Sequence, residues 1–167
     1  MVIYFFIKIL YFILNVTKLD NNFLIPSSQV HSEFVMTINE HIKHWLNGAD
    51  HDIQVSQNLF KMGNYDWCLF IGHIVVEKTL KAIYVQNNQN KIPPKTHRLV
   101  KLAQLSSVPL TKEQKILFDE ITDFNIEARY PQYKKEFYKI CTKEYANHYL
   151  NKILEIHKWL KSHIKLI

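Results

Sequence analysis

Glycine and proline are scarce in this chain, at 3 and 5 among 167 residues. That scarcity excludes collagen-like repeats and argues against glycine-rich phosphate loops and turn-dense β-sandwiches. Cysteine is scarcer still, with only Cys68 and Cys141. Two thiols cannot make a disulfide scaffold, and a reducing, cytoplasmic site is the simpler expectation. Several enzyme signatures are also missing: no glycine-rich nucleotide loop, no HExxH and no paired CxxC. What remains is 47% hydrophobic and 22% charged, too apolar for global disorder and long enough for one buried core. The net charge is +6. Residues 1–35 and 36–128 are each neutral, so the whole excess lies in residues 129–167, with 9 Lys/Arg against 3 Asp/Glu. A basic C-terminal third suits an anionic partner such as RNA or a nucleotide phosphate; a lysine-rich solvated helix face accounts for it equally well.

The N-terminal segment Met1–Val16, MVIYFFIKILYFILNV, is the long apolar run of the chain. It is shorter than the roughly 20 apolar residues of a spanning helix, and its one charge, Lys8, sits mid-run rather than ahead of it. Three readings fit residues 1–35: an extension upstream of a true start at Met36, an extra apolar helix, or a membrane anchor. The lack of Ala, Gly and Arg from residues 1–25 favours the first. The domain proper is therefore expected at residues 36–167, with no membrane contact unless residues 1–16 are a real anchor.

From Met36 onward the periodicity is helical. Thr37-Ile-Asn-Glu40 is a capping box, followed by Trp45, Ala49, Ile53, Ser56 and Phe60 on one helix face. Gly63 supplies a left-handed stop and Asn64 a new cap. The second helix is expected over Tyr65–Asn87, apolar on more than one face and so central to a bundle. Gln86–Lys91 and Pro93-Pro94 form a loop. Thr96 is expected to cap a short helix with Leu99, Leu102 and Leu105. Thr111-Lys-Glu-Gln114 is a second capping box, opening a helix with Ile116, Leu117, Ile121 and Phe124 inward. Pro131 ends or bends that helix, and Tyr133–Ile140 is ambiguous. Thr142 caps the last helix, with Tyr145, Tyr149, Ile153, Ile156 and Leu160 in a stripe. No strand alternation occurs. The expected fold is all-α, an up-and-down bundle of about five helices.

Two local features carry chemistry. Glu77 and Lys81 stand i, i+4 within the apolar second helix, the favourable order for a helical ion pair. A charge pair there is a supporting element of a site or a pair snorkelling from the bundle edge. Asn125-Ile-Glu-Ala-Arg-Tyr-Pro131 joins amide, carboxylate, guanidinium and phenol at a helix break. Arg129 suits bidentate phosphate recognition and Tyr130 suits base stacking, with Tyr133, Lys134 and Lys135 close behind. The competing reading is a structural corner, with Arg129 paired to Glu127 or Glu77. His41 and His44 stand i, i+3, but no third ligand follows at metal spacing, so neither metal nor cofactor is expected. Cys68 reads as packing, and Cys141 lies near a helix start that would lower its pKa without other marks of reactivity.

At these residues the chain resembles the HEPN family, the "higher eukaryotes and prokaryotes nucleotide-binding" helical bundles. The resemblance spans about Met36 to His163. It is carried by Trp45-Leu46-x-x-Ala49-x-x-Asp52, by Tyr65-Asp66-x-Cys68-x-Phe70 leading to Glu77-Lys78-x-x-Lys81-Ala82, by Pro93-x-x-Thr96-His97-x-Leu99-x-x-Leu102, and by Asn125-x-x-x-Arg129-Tyr130-Pro131. The resemblance implies a helical bundle, often a homodimer, commonly encoded beside a small nucleotidyltransferase partner in toxin–antitoxin or defence systems. Some members are metal-independent ribonucleases that use an Arg followed four to six residues later by His. Here no His follows Arg129 at that distance. The expectation is therefore a nucleotide- or RNA-binding protein with Asn125, Arg129, Tyr130, Tyr133, Lys134 and Lys135 at the phosphate, and Glu77 and Lys81 in support. The alternatives are an endoribonuclease, with Arg129 and His97 as catalytic candidates, and a structural dimerisation module.

Overall fold

The computed structural model describes residues 36–165, apart from residue 130 and the side chains of residues 131–134. The readings of residues 1–35 lie outside these. Among the described residues six helices follow one another: α1 (Ile38–Lys61), α2 (Tyr65–Asn87), α3 (Leu99–Leu105), α4 (Lys112–Glu127), α5 (Pro131–Ile140) and α6 (Lys143–Lys161). No strand occurs among the described residues. The bundle has one helix more than the sequence suggested. Pro131 ends no helix; it opens α5, where the first turn has no need of its missing N–H.

The helix ends follow local chemistry. Both capping boxes form, Thr37 with Glu40 and Thr111 with Gln114, and the Thr142 side chain accepts from the Tyr145 N–H. Gly63 takes φ +80° between α1 and α2, a left-handed value that a side chain resists. Asn64 does start α2, but its backbone carbonyl accepts from the Cys68 N–H and its side chain makes no cap. Thr96 does not cap α3. Arg98 holds that position, and the Leu99 N–H donates instead to Thr122 Oγ1 of α4 at 3.2 Å. A tertiary partner replaces the local one.

α2 is the central helix. Thirteen of its 23 residues are buried, which leaves it no fully solvated face. It runs antiparallel to α1, because the partners climb α2 as they descend α1. Ser56 bonds the Cys68 carbonyl, Lys78 Nζ lies 2.6 Å from Asp52, Lys81 lies over the Trp45 ring, and Ile42 packs with Val85. It runs parallel to α6, since Thr79 meets His157 and Gln86 reaches the His163 carbonyl. The main core joins Leu69, Val76 and Leu80 of α2 to Phe118, Ile121 and Phe124 of α4, Phe137 of α5 and Ile153 of α6. The inward face of α4 differs from the expected one by a step. Ile116 is 54% exposed, and Phe118 is fully buried in its place. Residues 118, 121, 125 and 128 are the ones that keep helical register toward α2.

A polar clasp ties α1, α2 and α6. His157 Nε2 is 2.9 Å from Asp50, its Nδ1 is 2.8 Å from Thr79 Oγ1, and Lys161 also reaches Asp50 at 2.8 Å. Thr79 is wholly buried, so this Asp–His–Thr line is a fastening and not an accessible nucleophile. One lysine of the basic C-terminal third is thereby neutralised within the fold.

α2 and α6 approach closely at Gly72. A Cβ there would lie 2.6 Å from Ile153 Cδ1, a buried methyl that must rotate away. Overpacking of this kind costs about 1–3 kcal/mol, and Ala regains about 1 kcal/mol of helix propensity. We expect Gly72→Ala to destabilise the native protein, yet to stabilise an Ile153→Val background that lacks the obstructing methyl. Urea unfolding of the four chains checks the reversal of sign, and an unchanged sign refutes it.

Candidate functional site

The site grows from one buried carboxylate. His73, Glu77 and Lys81 recur every four residues on α2 and so share a face. His97 comes from the loop before α3, Asn125 from the last turn of α4, and Arg129 from just beyond its C-cap Ala128. Glu77 is only 4% exposed, and a carboxylate so far from water must find partners. Its Oε1 accepts from Lys81 Nζ at 2.7 Å. Its Oε2 lies 2.8 Å from His97 Nδ1 and 3.2 Å from His73 Nε2. Burial alone would raise its pKa. The polar contacts with His73, Lys81 and His97 and the Lys81 charge outweigh that and hold the carboxyl down to about 2.

His73 is completely buried, and polar partners meet both of its ring nitrogens. Its Nδ1 is 3.1 Å from the Ile121 carbonyl, which can only accept, so Nδ1 carries a hydrogen. Its Nε2 is 3.1 Å from Asn125 Nδ2. The Asn125 amide is oriented in turn by Arg129, whose Nη2 donates to Asn125 Oδ1 in a short contact. Arg129 Nε donates to the Asn125 carbonyl at 2.7 Å, and the guanidinium stacks 5.4 Å from the Phe70 ring centre. With Arg129 holding Oδ1, the Asn125 NH2 faces His73 Nε2. The same Nε2 also meets Glu77 Oε2 at 3.2 Å, so His73 links the amide to the carboxylate.

The structure thus joins Lys81, Glu77, His97, Asn125 and Arg129 in one polar chain that no stretch of sequence contains. Glu77 is no snorkelling residue. Lys78, by contrast, reaches out of the apolar face to Asp52 of α1. Arg129 is exposed and folds back on Asn125. Lys135 is exposed on α5. Tyr130 and the side chains of Tyr133 and Lys134 lie outside the described residues. His73 was missed by sequence reasoning because it sits in an apolar run and reads as core; its i, i+4 spacing to Glu77 was the available signal. The His41/His44 pair has other uses. His41 Nδ1 lies 2.9 Å from Asn90 Oδ1, and His44 packs edge-on to Trp45. Cys141 is not activated by the start of α6. Burial, and then the Asp66 and Glu127 carboxylates, push its thiol up to about 12.

Chemically the arrangement offers an oriented guanidinium at the surface, braced from behind by a buried network. It also offers an imidazole, His97, whose Nδ1 sits on a carboxylate while the side chain is 62% exposed. The model of one family, the HEPN domain, matches residues 42–163. Among solved structures the chain is similar to TT1696 from Thermus thermophilus, with 18% identity and a TM-score of 0.62 over 74% of this chain and 98% of that one. That likeness is one of fold. Comparison with curated proteins gives no match.

Proposed function

The chain belongs to the HEPN domain family, and from that premise we propose that it binds a nucleotide or RNA through a phosphate seated at Arg129, as a homodimer acting with a small nucleotidyltransferase partner. Membership places it among nucleotide- and RNA-related proteins at the level of the family. A toxin–antitoxin or defence setting and a cytoplasmic location belong to the same proposal. Among the described residues no helix is long and apolar enough to cross a membrane.

The observation that carries the reading is the bracing of Arg129. An exposed arginine normally gives up rotamer freedom when it binds, and that loss weakens the complex. Here Asn125 and Phe70 already hold the guanidinium, and Asn125 is held by His73 in the core. The planar fork is pre-organised for phosphate. Exposed Lys135, Lys143 and Lys158 add positive charge in the same third of the chain.

Fluorescence anisotropy with labelled single-stranded RNA and with nucleotides tests it. Binding at low salt should weaken as salt rises, because phosphate contacts release counterions. Arg129→Ala should weaken binding to all sequences alike and lower the salt slope by about one. Arg129→Lys should restore little, since an ammonium lacks the fork. Equal binding by wild type and Arg129→Ala would remove Arg129 from the site.

One observation favours a second reading, metal-independent RNA cleavage. The Glu77 carboxylate holds His97 by Nδ1, and a carboxylate-held imidazole is a proton carrier. His97 would then stand in for the His absent after Arg129. Cleavage by the purified protein in a chelator, abolished by His97→Ala, is the expected result; cleavage that survives that change sinks the reading.

A further inference from the structure

We propose that His73, Glu77 and His97 form a three-ligand site for a zinc-type divalent transition metal, a use of this cluster that phosphate binding at Arg129 does not require. Each residue offers one ligand atom, and the three atoms all lie within 4.8 Å of one another.

The donor set decides the class of metal. Two neutral imidazole nitrogens and one carboxylate oxygen suit zinc and its borderline neighbours, whereas magnesium and calcium prefer oxygen alone. The spacing is close to what such an ion needs. Ligand atoms bound tetrahedrally at about 2.0–2.1 Å stand about 3.4 Å apart. His73 Nε2 and Glu77 Oε2 are 3.2 Å apart, and His97 Nδ1 and Glu77 Oε2 are 2.8 Å apart. The required outward movement falls on His97, which lies on a loop and is the exposed member. Its open side also gives an entry path.

The groups behind the ligands fit as well. The Ile121 carbonyl takes the Nδ1 hydrogen of His73 and so fixes the ring with Nε2 beside Glu77. A histidine ligand is commonly fixed by a carbonyl in this way. Lys81 bonds Oε1 of Glu77 and leaves Oε2 to the cluster. A cation between His73 Nε2 and Glu77 Oε2 would replace their single 3.2 Å polar contact with two bonds. Two features oppose loading. Lys81 repels a second cation, and Asn125 Nδ2 donates to the same His73 lone pair and must withdraw. The site is accordingly a dissociable one, and loading needs the lone pair of His97 Nδ1, so that ring keeps its hydrogen on the outward Nε2. Metal occupancy and proton carriage by His97 exclude each other.

The test is titration of the full-length, tag-free protein with Co²⁺, read by its visible absorption, with Zn²⁺ as competitor. One Co²⁺ per chain with the intense bands of a tetrahedral ion is expected. His97→Ala and Glu77→Gln should each weaken uptake about tenfold or more, and His41→Ala should leave it unchanged. His97 is on an exposed loop, so its removal leaves the fold, checked by circular dichroism; if Glu77→Gln fails to fold, His97→Ala decides alone. Absence of a saturable tetrahedral spectrum overturns the proposal, and so does uptake by His97→Ala equal to wild type. RNA binding lost in Arg129→Ala but not in His97→Ala would keep the phosphate reading separate from this one.

Discussion

Glu77→Ala is expected to lower the free energy of unfolding by about 3–5 kcal/mol, the range for removing one partner of a buried ion pair. The loss comes less from the carboxylate than from what it leaves behind. Lys81 Nζ, 14% exposed at its side chain, would be a nearly buried cation without its acid. His97 would lose its anchor, and His73 would face a cavity on its Nε2 side. Urea unfolding in the presence of a chelator measures the effect, and a loss under about 1 kcal/mol would show that the network is loosely held.

The same carboxylate gives the acid side of the stability profile. Its folded pKa of about 2 lies below the ordinary 4.5, so the unfolded chain binds more protons between those values. The stabilisation is fully present above pH 4.5 and disappears as pH falls through 2. Linkage over that interval amounts to about 3 kcal/mol. The gap between wild type and Glu77→Ala should therefore be widest near neutrality and shrink steadily below pH 4.5. A gap independent of pH would mean that the charge of Glu77 contributes nothing.

Phe124→Ala is expected to cost about 3–5 kcal/mol as well, through a different cause. Phe124 is 2% exposed and lies against Phe137 of α5 and Tyr145 and Tyr149 of α6, with ring centres 5.0–6.4 Å apart. Removing it leaves a cavity where three helices meet. Asn125 is the next residue, so the cavity also loosens the bracing of Arg129. RNA affinity should fall under conditions where the variant is still fully folded. Ile116→Ala on the same helix, at a position 54% exposed, should change stability by no more than about 0.5 kcal/mol. Similar losses at both positions would contradict the burial pattern of α4.

Much of the scaffold was legible because its causes are local. A capping box spans one helical turn, a left-handed glycine acts on its own φ, and an apolar stripe repeats within one helix. Thr37, Gly63, Thr111 and Thr142 therefore acted where the sequence placed them. The failures came where a distant group intervened. Thr96 yielded the α3 cap to Thr122, Ile116 yielded the core to Phe118, and Cys141 was buried beside Asp66 and Glu127 and lost any activation.

The site divides in the same way. The sequence by itself determined that Glu77 and Lys81 pair on one helix face and that Arg129 stands at a helix break with Asn125 one turn earlier. Those relations are set by the period of about 3.6 residues within a continuous segment. Only the tertiary structure decided that His73 and Asn125, 52 residues apart, share a hydrogen bond, that His97 closes on Glu77, and that the acid belongs to the core. Burial is the reason. A carboxylate in water has no need of particular partners. The same carboxylate enclosed by α2, α4 and the loop before α3 must be satisfied by whatever those elements bring, and that meeting is a property of packing.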